Sequence, residues 1–272
     1  MYVFDNDISE PEIPEYSSDE YVDVNFANGA VTDAKGNATF GYIGTPVVET
    51  VTVMHNGVEI EMEALRITSQ GNFVYGVLHN LDTVDKMNTF LANGFSVEAF
   101  YLDNSSTSAG IICMTETSGG WGIAHSTTTS KHNKPYFITG NGNTTYSWNA
   151  VYSKAATSDT ELVHVVATYD TLAKMHTIYI NGEEYSDYSA TGQPGTNIPG
   201  VVTTNTTSGQ FGIPMFNTFG MGGEFSASIS KAGDFLANDL TIVDAKIYDK
   251  TLKADEARAA YKAASALFEE AW

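Results

Sequence analysis

Three glutamates alternate along one short stretch of the chain, Glu59-Ile60-Glu61-Met62-Glu63. Successive side chains of a β-strand point to opposite faces, so the three carboxylates would share one face of a strand. Two carboxyl groups on opposite sides of a glycosidic bond can act as acid and nucleophile in its hydrolysis. The outer pair, Glu59 and Glu63, is therefore a candidate for catalysis. A charged face that keeps an edge strand from aggregating is the competing interpretation.

Other catalytic motifs are absent from the sequence. It contains no G-x-S-x-G nucleophile elbow, no phosphate-binding G-x-x-x-x-G-K-[ST] loop, no H-E-x-x-H and no C-x-x-C. The histidines show no metal-ligand spacing, and His164 and His176 fall within predicted strands, where a structural role is expected. The single cysteine, Cys113, lies in an apolar run and is expected in the core. These absences favour binding over catalysis.

A polar, aromatic-rich region between residues 121 and 152 offers the groups that a carbohydrate site needs. Sugars stack on exposed aromatic rings, while amide, hydroxyl and backbone groups bind their hydroxyls. The predicted carbohydrate-binding residues are Trp121, His125, Tyr136, Asn143, Tyr146 and Trp148. The alternative is that Trp121 and Trp148 are half-buried sheet residues that cover the core.

The charge balance limits the possible partners. The chain has 272 residues, of which 13 are basic and 33 acidic, so its net charge is −20. Nucleic acid is not expected as a partner, because phosphate binding requires a basic face. Membrane insertion is not expected either, because no apolar run is long enough to cross a bilayer. The acidity suits calcium, although solvation of an extracellular surface is the simpler explanation.

Residues 161–184 predict a β-hairpin at the centre of the fold. Residues 162–169 and 175–180 are rich in β-branched and apolar side chains, and Asn181-Gly182 supplies the positive-φ pair of a two-residue turn. Both faces of the first strand are largely apolar. We therefore expect this strand to be central and covered on each side.

Further strand-like segments recur at intervals of about ten residues, separated by Gly and Asn turns, which is typical of a two-sheet sandwich. Residues 83–93 show helical spacing, and residues 254–271 form the clearest helix, with Asp255 and Glu256 in its first turn. Residues 1–20 are acidic and predict an extended tail or linker. The expected organisation is this tail followed by one all-β domain over residues 21–272.

Four phrases of the sequence carry a family resemblance through their order. They are FSVEAF at 95–100, GGWGI at 119–123, LVHVVATYD at 162–170 with YING at 179–182, and IVDAKIYDKTL at 242–252. Together they resemble the laminin-G-like domains of the concanavalin A-like jelly-roll superfamily. The resemblance implies an all-β, two-sheet antiparallel jelly-roll sandwich with a short C-terminal helix.

The resemblance also implies a structural calcium ion between the opening turn and the closing strand. Asp244 in the closing strand and Asn28 and Asp33 in the opening turn occupy the matching positions. Calcium takes six to eight oxygen ligands, and these side chains would supply some of them. The alternative for Asp244 is a turn cap or an ion pair with Lys246 or Lys250.

Family 16 glycoside hydrolases share this fold and use a similar E-x-D-x-E strand, for which Glu59 and Glu63 are the counterparts. The middle residue here is Glu61 instead of Asp. This leaves a glycoside hydrolase as an alternative function.

The functional prediction is a non-catalytic, extracellular or cell-surface module of a bacterial-type protein that binds a glycan or a cell-surface polymer. The resemblance implies that such a module serves a larger secreted or surface protein, such as a hydrolase or metallophosphoesterase, alongside other domains of the same polypeptide. Besides the hydrolase, a structural spacer or protein-interaction domain is the remaining alternative.

Overall fold

The computed structural model describes residues 19–114, 120–126, 133–140, 148–188, 204, 213–224 and 236–269. The strands in these ranges are β1 (Val22–Ala27), β2 (Ala30–Asp33), β3 (Ala38–Ile43), β4 (Val47–His55), β5 (Val58–Ile67), β6 (Phe73–Leu78), β7 (Phe95–Asp103), β8 (Ala109–Met114), β9 (Gly120–Ser126), β10 (Lys134–Gly140), β11 (Trp148–Ser153), β12 (Val163–Asp170), β13 (Met175–Ile180), β14 (Glu183–Glu184), β15 (Ser186–Asp187), β16 (Thr218–Met221) and β17 (Leu240–Tyr248). The helices are α1 (Val84–Ala92) and α2 (Ala254–Glu269).

The strands form two antiparallel sheets. The larger sheet has nine strands in the order β14-β13-β12-β7-β17-β1-β2, with β5 paired to β17 and β4 paired to β5. The smaller sheet has eight strands in the order β15-β11-β10-β9-β8-β16-β6-β3. This arrangement confirms the predicted all-β, two-sheet jelly-roll sandwich.

An aromatic cluster fills the space between the two sheets. The ring centroid of Phe95 on β7 lies 6.0 Å from those of Trp121, Phe137 and Tyr169. Trp121 also lies 6.3 Å from Phe219 on β16. Because strand side chains alternate, the residues of β7 next to these core positions point to the opposite face of the larger sheet, here called the outer face.

The predicted central hairpin is present. Strand β12 lies between β13 and β7, and all but the last of its residues are buried. The turn after β13 has φ values of 49° at Asn181 and 78° at Gly182, which Asn and Gly tolerate better than other residues. The smaller sheet covers one face of β12, and α2 packs on the other.

A bulge in β17 lets a second hairpin fold over the outer face. The register of β17 shifts between Ile242 and Asp244. Before this point β17 pairs with β5, and after it with β1. The β4–β5 hairpin extends from β17 and packs with α2 on the outer face, where Val53, Phe100 and Phe268 share one apolar cluster.

The helices match their predicted positions, and their first turns are capped by side chains. Thr83 Oγ1 accepts a hydrogen bond of 3.2 Å from the Lys86 amide at the start of α1. At α2, Glu256 Oε2 accepts a 2.8 Å hydrogen bond from the Lys253 amide. Thr251, three residues before α2, donates to the Tyr169 carbonyl oxygen at 2.9 Å.

Some predictions of elements were incomplete. The sequence interpretation missed β3 and β11, whose polar and small residues break the apolar pattern. Two of the strand-like segments of the sequence, residues 201–204 and 210–212, lie outside the described residues except for Thr204. Of the predicted tail only Asp19 and Glu20 are described, and buried Glu20 contacts Lys35 Nζ at 2.9 Å.

Candidate functional site

A pocket of about 530 Å³ lies between the tips of two hairpins and one face of α2. The β4–β5 turn and the turn after β13 form two walls, and α2 forms the third. We call it the helix pocket. It is lined by His55, Asn56, Val58, Asn181, Glu183, Arg258, Tyr261, Lys262, Ser265, Phe268 and Glu269. Its volume lies within the range of small-molecule sites.

Two Asn-Gly turns bring the hairpin tips to α2. Asn56-Gly57 and Asn181-Gly182 both have the positive φ values that a two-residue hairpin turn requires. Gly182 also permits the close approach of the helix. A Cβ atom at this position would lie 3.1 Å from Tyr261 Cδ1 and 3.2 Å from Arg258 Cα.

Aromatic rings form the floor of the helix pocket. The His55 ring packs edge-on against Phe100, Tyr261 and Phe268, at centroid distances of 5.0, 5.7 and 5.3 Å. His55 and Phe268 are buried, whereas Tyr261 is half-buried. Of these rings, Tyr261 is therefore the one with appreciable area exposed towards the pocket.

Hydrogen bonds hold the floor in place. His55 Nδ1 lies 3.0 Å from the Leu162 carbonyl oxygen, and His55 Nε2 lies 3.1 Å from the Tyr261 hydroxyl. Asn56 Nδ2 donates to the same hydroxyl at 3.1 Å. Burial lowers the pKa of His55, and the Leu162 carbonyl and the Glu161 carboxylate oppose that shift.

Charged groups surround the mouth of the pocket. Arg258 Nη2 and Nε lie 3.0 and 3.2 Å from Glu183 Oε1, which joins α2 to the β13–β14 turn. Lys262 and Glu269 add one cation and one anion. The mouth thus offers both donors and acceptors around the Tyr261 ring.

A buried polar cluster lies beneath α2 on the outer face. Glu98 Oε1 lies 3.0 Å from His164 Nε2 and 3.2 Å from Lys246 Nζ, and Tyr248 donates to Glu98 Oε2. Burial would raise the pKa of Glu98, but Lys246, His164 and Tyr248 together hold it well below its usual range. The carboxylate is therefore ionised inside the protein. Sequence reasoning missed this cluster, although its members are lone polar residues in apolar strands.

The predicted carbohydrate-binding residues that the structure describes are buried. Trp121 is 0% exposed and belongs to the cluster between the sheets, so its ring offers no face to a ligand. Tyr136 is buried and stacks on Tyr152 at 4.9 Å. Asn143 and Tyr146 lie outside the described residues. For Trp148 the structure describes only its place at the start of β11.

His125, also predicted to contact a sugar, is a core residue. Its Nε2 lies 2.6 Å from the Tyr101 hydroxyl and its Nδ1 lies 3.1 Å from Asp103 Oδ2. Burial, with a smaller effect of Asp103, raises the pKa of Tyr101 well above its usual range, so the hydroxyl stays protonated. His176, expected to be structural, is also buried, and burial lowers its pKa to about 3.

Asp33, a predicted calcium ligand, instead holds the turn between β2 and β3. Its Oδ1 accepts hydrogen bonds of 2.9 Å from the amides of Asp23 and Lys35. Its Oδ2 accepts bonds of 2.6 and 2.9 Å from the amides of Asn37 and Ala38. A carboxylate has about four lone-pair positions, and these four bonds use them.

Asp244, another predicted ligand, pairs with Lys246, as the alternative interpretation expected. At Asn28 the structure shows a bond of the backbone N–H, which donates to Glu63 Oε2 at 2.8 Å. Burial raises the pKa of Asp244, with Lys246 acting against that shift. Within the described ranges no group of three His, Cys, Asp or Glu side chains is placed to hold a metal. Asp33, whose lone pairs are used, and Asp244, which is paired with Lys246, therefore do not fit a calcium ion.

We expect chelation of calcium to leave the melting temperature unchanged. We also expect the Asp33→Ala variant to have a lower free energy of unfolding than the wild-type chain. The loss should be about 2–4 kcal/mol, because four amides lose a charged acceptor. Thermal melts with and without a chelator, and urea titrations of the variant, measure both. A calcium-dependent rise in melting temperature that Asp244→Ala abolishes would contradict the first expectation.

The paired-glutamate stretch lies on the β4–β5 hairpin. Its register is regular from Val47↔Arg66 to His55↔Val58. Residues four apart along such a strand are about 13 Å apart, whereas a retaining glycosidase needs its carboxyl groups about 5 Å apart. Glu59 is exposed and Glu63 bonds the Asn28 amide. This placement fits a charged strand face better than a catalytic pair.

The two-sheet sandwich, with the β4–β5 hairpin and α2 packed on its outer face, has the architecture of a lectin-like jelly-roll domain. Residues 79–217 match a laminin-G-like family model of the concanavalin A-like lectin/glucanases superfamily. The chain belongs to that family. Comparison with curated proteins finds no match.

Solved structures with a similar fold are receptor-binding domains of botulinum neurotoxins. The type G receptor-binding domain has 14% identity and a TM-score of 0.56, covering 91% of this chain and 52% of that chain. The type DC binding domain in complex with SialylT has 12% identity and a TM-score of 0.57, covering 90% and 52%. The DC domain in complex with rat synaptotagmin II has 13% identity and a TM-score of 0.56, covering 90% and 51%.

The chain spans about half the length of these solved structures. At such low identities the likeness shows the fold alone. Neither described helix is long and apolar enough to cross a membrane.

Proposed function

We propose that the chain is a non-catalytic module that binds a glycan or another polymer of a cell surface, with the helix pocket as its binding site. The observation that carries the proposal is the pocket itself. A half-buried Tyr261 ring lies among amide, hydroxyl, carboxylate and guanidinium groups. Sugar recognition needs this combination of an apolar ring and polar groups that fix orientation.

The wider setting follows from the same proposal. We propose that the module acts outside the cell or at its surface, as an accessory to a larger protein such as a hydrolase or metallophosphoesterase. The similar receptor-binding domains include complexes with SialylT and with synaptotagmin, which supports a role in binding a surface component. The net charge of −20 disfavours nucleic acid as a ligand.

We expect Tyr261→Ala to weaken glycan binding about fivefold, because the accessible ring contributes on the order of 1 kcal/mol to stacking. Arg258→Ala should weaken it as well. A glycan array followed by titration of the best ligand measures both variants, after thermal melts confirm that each is folded. Tyr42→Ala is the matched control, since Tyr42 is exposed on β3 of the other sheet.

The same experiment includes Trp148→Ala, which tests the loop region chosen from the sequence. Loss of binding in Trp148→Ala with wild-type binding in Tyr261→Ala would move the site away from the helix pocket. Absence of any glycan signal for the wild-type chain would overturn the proposed function.

A further inference from the structure

Strand β4 is a free edge of the larger sheet. Within the described ranges it pairs with β5 alone, in an unbroken register. In such a pair the backbone groups of successive residues point alternately towards the partner strand and away from it. The Met54 carbonyl oxygen accepts a 2.7 Å hydrogen bond from the Leu162 amide, so the backbone of Met54 points away from β5. Because directions alternate, the backbones of Thr50 and Thr52 point away from β5 as well.

The outward backbone groups of Thr50 and Thr52 are open to a further strand. Both residues are exposed, and neither forms a backbone hydrogen bond on that side with any described residue. An edge with aligned free N–H and C=O groups is a template for an added strand. The bond between Leu162 and Met54 occupies the turn end of this edge, so an added strand has Val47 to Val53 to pair with.

The composition of β4 favours pairing. Strand edges are commonly protected by lysine, by proline, by a bulge or by short length. β4 has nine residues, contains no lysine or proline, and pairs with β5 without a bulge. Six of its nine residues are valine or threonine, which fit a strand well. Its only carboxylate is Glu49.

Glutamates on β5 determine which partner suits this edge. Glu63 lies opposite Thr50 and Glu61 lies opposite Thr52, and Glu59 follows on the same face of the hairpin. We call this side of the hairpin, with Glu59, Glu61 and Glu63, the acidic face. It points away from the apolar cluster that packs under the hairpin. Residues 47–65 contain four glutamates and no lysine or arginine, so the local field favours a cationic strand.

A strand added to β4 brings its side chains within reach of the acidic face. It would lie two strand spacings, about 10 Å, from β5. The flexible stems of lysine or arginine on the added strand and of the glutamates on β5 can together span this distance. Glu61 is exposed, whereas Glu63 already accepts a hydrogen bond from the Asn28 amide. Basic residues at alternate positions of the added strand would share one face and point to these carboxylates.

A second copy of the chain suits the edge less well. Each copy has a net charge of −20 and carries its own Glu49 and its own acidic face. Pairing of two β4 edges would bring like charges together, which is destabilising across a sheet. The charge of the hairpin therefore favours a partner that differs from this chain.

We propose that β4 is a docking edge for an extended, lysine- or arginine-rich segment of another protein, which adds as a strand beside Thr50 and Thr52. Backbone hydrogen bonds contribute affinity, and the acidic face selects the charge of the segment. The docking edge is separate from the Tyr261 ring of the helix pocket, so this proposal does not rest on glycan binding.

Synthetic peptides test the docking edge with the protein unchanged. A peptide of roughly eight residues that alternates lysine and threonine should bind, and a peptide that alternates glutamate and threonine should not. Two further peptides carry N-methyl groups, one on its lysine amides and the other on its threonine amides. Only alternate amides of an added strand face β4, so one of these two should lose binding and the other should keep it. Equal binding of both methylated peptides, or no binding of the lysine peptide, would overturn the proposal.

Variants of the hairpin test the two contributions separately. Thr52→Pro removes an outward N–H that makes no bond to β5, and should weaken peptide binding about tenfold. Glu61→Gln should weaken binding about two- to fivefold and reduce its dependence on salt. Asp85→Asn, at an exposed carboxylate of α1, makes the same change of charge away from the hairpin and should have no effect. Equal losses in Glu61→Gln and Asp85→Asn would contradict selection by the acidic face.

Hydrogen exchange and sedimentation distinguish the possible occupants of the edge. Bound peptide should slow exchange of the Thr50 and Thr52 amides and leave that of Val51, which faces β5, unchanged. A dimer of the chain alone that Thr52→Pro abolishes would assign the edge to a second copy and overturn the proposal. Tyr261→Ala should retain full peptide binding, so failure of the glycan site leaves this result intact.

Discussion

Replacing Glu98 by alanine is expected to lower the free energy of unfolding by about 3–5 kcal/mol, because it breaks a buried ion pair. Glu98 is fully buried and bonds His164, Lys246 and Tyr248. Removing the carboxylate takes one anionic partner away from the buried Lys246 ammonium, which keeps its ion pair with Asp244. Urea titrations near neutral pH measure the loss.

The effect of Glu98 should also depend on pH in a defined direction. The pKa of Glu98 in the folded state lies below the usual value of 4.5. The stability that the ionised carboxylate contributes is therefore present above pH 4.5 and is lost as the pH falls below it. In Glu98→Ala the loss of stability that comes from protonating Glu98 should be absent.

Two control variants make the expectation for Glu98 specific. Glu59→Ala, at an exposed glutamate of β5, should change the free energy of unfolding by less than about 0.5 kcal/mol. The double variant Glu98→Met with Lys246→Met should recover much of the stability, because apolar residues of similar volume often replace a buried ion pair without loss. A cost below about 1 kcal/mol for Glu98→Ala would show that the cluster is hydrated.

Trp121→Ala should cost about 3–5 kcal/mol of stability and leave glycan affinity unchanged below the melting transition. The indole is 0% exposed and packs between Phe95 and Phe219, so its removal opens a large cavity between the sheets. Urea titrations and glycan titrations of the same variant give the two readouts. Trp121→Phe should lose less, because it leaves a smaller cavity.

Leu172→Ala is the matched control, because Leu172 is 96% exposed in the β12–β13 connection and should be neutral within about 0.5 kcal/mol. A stable Trp121→Ala variant that no longer binds glycan would contradict the structure and restore the sequence-based interpretation of this residue.

The comparison of Trp121 with Tyr261 shows why sequence reasoning favoured a buried aromatic residue over a more accessible one. Strand β9 of the smaller sheet is buried on both faces along its whole length. Burial therefore does not alternate along the strand in the way that would mark its core-facing side. Trp121 and His125 therefore resembled exposed groups beside a polar loop. For Tyr261, the sequence offers no sign that its hydroxyl meets a histidine 206 positions earlier.

The sequence by itself determined the fold class, the hairpin at residues 161–184 and both helices. These features follow from local patterns: β-branched runs, Asn-Gly turns and apolar spacing near 3.6 residues. Only the tertiary structure decided which polar side chains meet. The bulge in β17 lets the β4–β5 hairpin fold over the outer face and brings His55 to α2, and the pairing of β7 with β12 and β17 collects Glu98, His164 and Lys246. Such contacts join residues far apart in the chain, and no local pattern records them.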